Sequence, residues 1–303
     1  MMNRSDWHGV MPAITTPFDP NLDVDFAVLR SHVKSLVEAG CTGIVTPGSL
    51  GEGATLSQDE KKAIWRACID VVGKRVPVVA AIAAAGTREA VTLAQDAERC
   101  GCRGLMVLPP YVYMGPWVEI KAHFAAVFNA TGLSCMLYNN PIAYGTDTTP
   151  EQIAELAGEH AQLHAVKESS ADVRRITAIR AILRDRLALF VGVDDLIVEG
   201  IAAGATGWIA GLVNAFPRES VALFDAARQG QHERARAMYE WFLPLLRMDV
   251  VPEFVHLIKL VQEQVGMGSE RVRGPRRPLV GQDRERAIRA VQDALRTRAS
   301  VAW

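Results

Sequence analysis

Eight times along the chain, a short apolar run gives way to a longer segment whose apolar residues recur at helical spacing. The runs fall at 9–16, 43–48, 77–83, 104–108, 134–138, 163–167, 187–193 and 207–211. They show little of the polar alternation of a half-exposed sheet, so each predicts a strand buried on both faces, in a parallel sheet covered by helices. Amphipathic stretches such as 25–39, 58–72, 87–100 and 117–130 lie between them, and several stop at a glycine (Gly40, Gly101) just ahead of the next strand, as helix ends do. Eight βα units in about 230 residues point to the α/β class and to a closed (β/α)8 TIM barrel. An open doubly wound sheet usually has fewer strands, and the first βα turn carries no GxGxxG phosphate fingerprint.

Beyond the eighth unit the pattern is helical only, over 231–247, 252–265 and 283–298, with Pro252 and Asp283 placed to start helices and 271–278 reading as a loop. The expected organisation is a barrel over residues 1–228 and a C-terminal helical extension over 229–303. Net charge is −1 with no block of like charges, so neither nucleic acid nor an anionic membrane is an expected partner, and a small molecule is. The five cysteines are scattered, and Cys100-x-Cys102 has no second Cys/His cluster, so no metal site is expected. The opening MMNRSDWHGV lacks an apolar core for a secretory signal. The most apolar stretch, 76–85, is far short of the roughly 20 residues that cross a bilayer. The expected location is the cytoplasm.

A barrel of this kind carries its active site at the C-terminal ends of the strands. Of the seven lysines, Lys34, Lys61, Lys62, Lys74 and Lys121 fall on helices or loops as solvated charges, and Lys259, in the apolar helix VHLIKLV, is expected to snorkel its amine to water. Lys167 instead ends the sixth strand. A buried amine sheds its proton more readily than one in water, and a neutral amine attacks a ketone to form an imine, which is an electron sink. The alternative is a lysine ion-paired with Glu168 or a rim aspartate. Tyr138 ends the neighbouring fifth strand, where a phenol can exchange protons with a substrate oxygen or simply pack. In Gly48-Ser49-Leu50-Gly51-Glu52-Gly53, successive N–H groups and the Ser49 hydroxyl form a candidate carboxylate site. The stretch from Gly204 to Gly207 precedes its strand and reads as a turn.

Four motifs, Gly48-Ser49-Leu50-Gly51-Glu52, Tyr138-Asn139-Asn140-Pro141, Val166-Lys167-Glu168-Ser169 and Gly192-Val193-Asp194, stand in an order and spacing that resemble the dihydrodipicolinate synthase / N-acetylneuraminate lyase family of class I, Schiff-base lyases, from about Gly9 to Pro278. The resemblance implies a homotetramer that needs no metal or organic cofactor. Lys167 would form the imine with pyruvate or a pyruvoyl group, and Tyr138 would shuttle protons. Ser49 and the N–H groups of Leu50 and Gly51 would hold the carboxylate, and Ala210 and Gly211 would line the floor. Three departures bear on the substrate. Ala143 stands where the synthases carry an arginine for the aldehyde's carboxylate. Leu50 replaces the second loop hydroxyl. Val112 replaces the intersubunit tyrosine, leaving Tyr111 or Tyr113 to complete the relay. With Tyr144, residues Tyr111, Tyr113 and Ala143 are expected to shape the pocket. The expected activity is that of an aldolase, or of a dehydratase or deaminase, on a sugar-acid or hydroxyproline-derived 2-oxo acid. The alternatives are the synthase itself and a non-catalytic 2-oxo acid binder.

Overall fold

The computed structural model describes residues 2–301. Eight parallel strands form one sheet: β1 (Gly9–Pro12), β2 (Ile44–Thr46), β3 (Val78–Ile82), β4 (Gly104–Val107), β5 (Ser134–Asn139), β6 (Leu163–Glu168), β7 (Ala188–Val191) and β8 (Gly207–Ala210). The ladder runs without a break from β2 round to β8 and β1. The β1/β2 seam closes through a parallel bridge between Ala13 and Val45, with Ile14 N–H on Val45 O at 3.0 Å.

Helices α1 (Phe26–Glu38), α2 (Gln58–Val72), α3 (Thr87–Cys100) and α4 (Trp117–Asn129) follow the first four strands. A short α5 (Pro141–Tyr144) and then α6 (Pro150–Glu159) follow β5; α7 (Arg174–Leu183), α8 (Ile197–Ala202) and α9 (Pro217–Arg228) complete the ring. Local chemistry sets their ends. Ser57 with Glu60, and Thr149 with Gln152, form capping boxes. Gly101, at φ 95°, lets the chain leave α3 in the left-handed region.

Strand residues alternate between two cores. Met11, Val45, Val79, Ala81, Met106, Met136, Ala165, Phe190 and Ile209 fill the barrel interior. Their neighbours, among them Val10, Ala80, Leu105, Leu137, Val166 and Trp208, pack outward against the helices. Trp7 closes the N-terminal end, edge-on to Phe190 at 6.1 Å and donating to Ser134 Oγ at 2.7 Å. The opposite end is left for chemistry.

The extension consists of α10 (His232–Leu246), α11 (Phe254–Gln264) and α12 (Gly281–Thr297). Six strands are shorter than their apolar runs, because segments such as 14–16 and 192–193 already turn into the rim, while β5 and β6 each run one residue further, to Asn139 and Glu168. Pro252 sits in the turn before α11, and Asp283 lies inside the first turn of α12, facing the helix dipole rather than preceding the helix. Two lysines differ from expectation. Lys259 does not reach water: at 1% exposure, its Nζ donates to Glu52 at 2.8 Å and to Thr16 O at 2.9 Å, because α11 packs directly on the loop after β2. Lys61 is buried at 8% on the face of α2 turned toward α3, where burial lowers its pKa and the Glu89 charge partly restores it.

Candidate active site

Alternation along β5 and β6 turns both Tyr138 and Lys167 inward at the top of the barrel, and the two are register partners. Lys167 is 6% exposed, and its Nζ lies 4.2 Å above the Tyr138 ring. The next inward position, on the chain leaving β7, is Gly192. A Cβ there would fall 1.9 Å from Ser169 Oγ and 2.5 Å from Lys167 Cε, so the missing side chain is what makes room for the lysine. Glu168 faces the other way, accepting from Asn139 Nδ2 at 3.1 Å and Ser170 N–H at 2.7 Å, and does not pair with Lys167.

Asp194 is fully buried beside this group. It accepts from Trp208 Nε1 at 3.0 Å, Gly211 N–H at 3.1 Å and Leu212 N–H at 2.8 Å. Burial pushes its carboxyl up to about 6, against the pull of those donors and of Lys167.

Across the mouth, the Gly-rich loop after β2 is held tight. A Cβ on Gly51 would meet Ile14 O at 2.8 Å, and one on Gly53 would meet Pro47 O at 2.6 Å. Glu52, at φ 54°, turns its carboxylate down to Lys259. Among the described residues the N–H groups of Ser49, Leu50 and Gly51 have no acceptor within the chain. The Leu50 side chain is core, so only its backbone is available. Ser49 Oγ is hydrogen-bonded to Tyr144 Oη. The Tyr144 ring stands edge-on to Tyr138 at 5.8 Å and 5.6 Å from Tyr111. Burial, then the neighbouring phenols Tyr138 and Tyr111, hold the Tyr144 hydroxyl well above its ordinary pKa. Burial likewise raises Tyr111, with hydrogen bonds to Ser49 and Tyr144 among the opposing causes. Asn140 Nδ2 donates to Tyr138 Oη at 2.9 Å.

Lys167, Tyr138, Ser49 and Tyr111 therefore meet in one mouth with Tyr144 at its centre. Tyr113 does not join them in this chain: it is 48% exposed and donates to Glu119. Ala143 lies exposed on α5. Ala210 and Gly211 sit at the end of β8, but Ala210 O accepts from Ala13 N–H at 3.0 Å and Gly211 O from Asn214 Nδ2 at 2.8 Å. One further group enters from the extension. A Cβ on Gly211 would fall 1.8 Å from Asp249 Oδ1, so this carboxyl fills the inward position above β8. Nothing in the local sequence RMDVVPE marks it; the inward glycine at 211 was the available signal. Among the described residues no cluster of three or more His, Cys, Asp or Glu is placed to hold a metal ion, and no helix is long and apolar enough to cross a membrane.

Residues 6–294 match the model of the dihydrodipicolinate synthetase family. The chain is 34% identical over 268 residues, 88% of its own length and 89% of the relative's, to a 4-hydroxy-tetrahydrodipicolinate synthase of Methanopyrus kandleri. It is 35% identical over 286 residues (94% and 90%) to one of Acidothermus cellulolyticus. Among solved structures it superposes on the 4-hydroxy-tetrahydrodipicolinate synthase of Methylacidiphilum fumariolicum SolV with a TM-score of 0.92, at 26% identity and 97% coverage of both chains. YagE, a prophage protein of the dihydrodipicolinic acid synthase family from E. coli K12 in complex with pyruvate, gives 0.90 at 27% identity, covering 95% of this chain and 99% of that one.

Proposed function

Because the chain belongs to the dihydrodipicolinate synthetase family, whose members are lyases, we propose that it acts through an imine between Lys167 and the carbonyl carbon of pyruvate or a related 2-oxo acid. The observation that carries this reading is Lys167 itself, inward at the end of β6 with its amine 4.2 Å over the Tyr138 ring and a glycine beside it. The Lys167 amine adds to C2, and the carbinolamine loses water to give the imine. That step and the removal of a C3 proton both need proton transfers, which we assign to the Tyr138 hydroxyl. The Ser49 hydroxyl and the unpaired N–H groups of residues 49–51 are the donors for the C1 carboxylate. Tyr144, hydrogen-bonded to Ser49 and packed on Tyr138 and Tyr111, links these phenols within one subunit, where Val112 offers no hydroxyl. The imine is its own electron sink, so this chemistry calls for no metal or organic cofactor.

The substrate we favour is a 2-oxo acid with a hydroxyl or amino group beyond C3, cleaved by an aldolase or emptied of that group by a dehydratase or deaminase. Ala143 supports this choice, since a methyl group at that position clamps no second carboxylate. The names of the relatives favour a second reading, condensation of pyruvate with aspartate semialdehyde. Steady-state assays with that pair and with a panel of 4-hydroxy-2-oxo acids separate the two, with Lys167→Ala as the blank. Turnover of the panel that vanishes in the variant supports the first reading. Efficient condensation with aspartate semialdehyde overturns it in favour of the second, and full activity in Lys167→Ala overturns both.

We also assign the exposed rim of Val112, Met114 and Ile142 (94%, 68% and 72% exposed) to a subunit contact in a homotetramer. Light scattering on the eluting protein measures the mass directly.

A further inference from the structure

The extension brings into the barrel mouth a carboxyl group for which the imine chemistry above has no use. Asp249 ends the single-turn helix Arg247–Asp249 between α10 and α11. On β8, Ile209 belongs to the interior and Ala210 to the outer core, so Gly211 is again an inward position. The Asp249 carboxyl occupies that position in place of a side chain: a Cβ on Gly211 would lie 1.8 Å from its Oδ1 and 2.5 Å from its Cγ. Gly192 does the same for Lys167 on β7. Two adjacent strand ends therefore lack side chains, and into the gaps come one amine from β6 and one carboxyl from outside the barrel.

Asp249 is not explained as a structural group. Among the described residues neither of its oxygens takes a hydrogen bond or an ion pair, and the nearby Arg247 guanidinium turns to Asp195 instead. A carboxyl kept for the fold is ordinarily met by protein donors, as the fully buried Asp194 is by three, whereas Asp249 is only partly buried and its carboxyl stays open to the mouth. Burial, then the Asp194 charge, push the Asp249 carboxyl well above the usual carboxylate range, with Lys167 pulling the other way. Such a group keeps its proton where exposed carboxylates have lost theirs. The site also has a place for its use. With C1 at the 49–51 loop, C2 on Lys167 and C3 facing Tyr138, the rest of a longer substrate is left the β7–β8 side, where the Asp249 carboxyl stands above Gly211.

We propose that Asp249 is the catalytic acid for the substituent on C4 of the substrate, donating its proton to a C4 hydroxyl as that group leaves. The inference rests on the imine reading. The C3–H bond breaks first, its proton passing to the Tyr138 relay and its electron pair forming the enamine. The enamine pair then moves to make C3=C4, the C4–O bond breaks, and oxygen takes the electron pair and the Asp249 proton to leave as water. Hydrolysis frees the unsaturated 2-oxo acid from Lys167, and Asp249 regains a proton from solvent. No oxidant or reductant enters.

The test compares wild type with Asp249→Asn, which keeps the shape and loses the acid, in two assays. The first is exchange of the pyruvate methyl protons into D2O, which needs Lys167 and the relay but no leaving group. The second is conversion of 4-hydroxy-2-oxobutanoate, 4-hydroxy-2-oxoglutarate and 2-oxo-4,5-dihydroxypentanoate. We expect exchange within about threefold of wild type and loss of conversion by roughly 10²–10⁴-fold, the usual effect of a positioned proton donor. Partial rescue of Asp249→Ala by added formate, which fits the space left above Gly211, is expected as well. Conversion at the wild-type rate in Asp249→Asn overturns the proposal. So does loss of exchange together with conversion in a folded variant, which would make the residue a support for Lys167. A wild type that exchanges pyruvate but converts none of the three acids overturns it while leaving the imine intact. A wild type that exchanges no pyruvate removes the imine reading itself.

Discussion

Replacing Lys259 by methionine isolates the contact that ties the loop after β2 to the extension. The side chains of Lys259 and Glu52 are 1% and 0% exposed and meet at 2.8 Å. Methionine preserves most of the volume but leaves the Glu52 carboxylate buried without its ammonium. Removing one partner of a buried pair costs about 3–5 kcal/mol, because the remaining charge stays desolvated. Here Arg273 N–H still donates to Glu52 at 2.9 Å and the Arg276 guanidinium stands 3.8 Å away, so the lower end of that range applies. At about 2 °C per kcal/mol for a chain of this size, the melting temperature should fall by roughly 6 °C. The double variant Glu52→Gln, Lys259→Met should recover much of the loss, since no unpaired charge remains. Glu52 also fixes the turn that presents Ser49 to Gly51, so the single variant should raise KM for the 2-oxo acid more than it lowers kcat. Calorimetry and steady-state kinetics on the three proteins are sufficient. A single variant melting within about 1 °C of wild type would refute the reasoning, since it would mean the pair stabilises nothing.

Other perturbations read other parts of the site. Gly192→Ala places a methyl 2.5 Å from Lys167 Cε, so turnover should drop about 100-fold, as for an ångström-scale misplacement, while stability falls by only about 1–3 kcal/mol; unchanged kinetics would remove Gly192 from the account. Tyr144→Phe breaks the link between Ser49 and Tyr138 and should slow pyruvate proton exchange by roughly 10–100-fold without unfolding the protein; exchange at the wild-type rate would leave the relay to Tyr111 alone. Asp194 titrates at about 6 in the folded chain against about 3.9 unfolded, so between those values the native state holds a proton that the unfolded chain has lost. Its contribution to stability is thus present below about pH 4 and lost as pH rises through about 6, and the denaturant midpoint of Asp194→Asn should show a smaller decline over that window; parallel curves would contradict the assignment.

The barrel was readable because a fully buried parallel strand leaves an unbroken apolar run, and the helices between switch to a 3.6-residue period. Lys167 stood out for the same reason: a charge directly after Leu163-His164-Ala165-Val166 has no place in such a run unless it tops the strand. What escaped the sequence depends on packing between distant segments. Lys259 looks like a snorkelling lysine until Glu52, in a loop far away in sequence, arrives beneath it. Asp249 lies in a stretch that reads as an ordinary interhelical turn, and it gains meaning only because the extension docks it over Gly211. Tyr144 was expected to shape the pocket, yet its position between Ser49 and Tyr138 depends on α5 folding back as one turn after Asn140, whose side chain caps it.

Borohydride trapping tests the imine most directly. The protein is incubated with pyruvate, reduced, digested and mapped by mass spectrometry. One pyruvate-derived adduct is expected, on the peptide carrying Lys167, absent in Lys167→Ala and present in Asp249→Asn. An adduct on another lysine, or none in a folded wild-type protein offered pyruvate and the longer 2-oxo acids, would contradict the imine on Lys167.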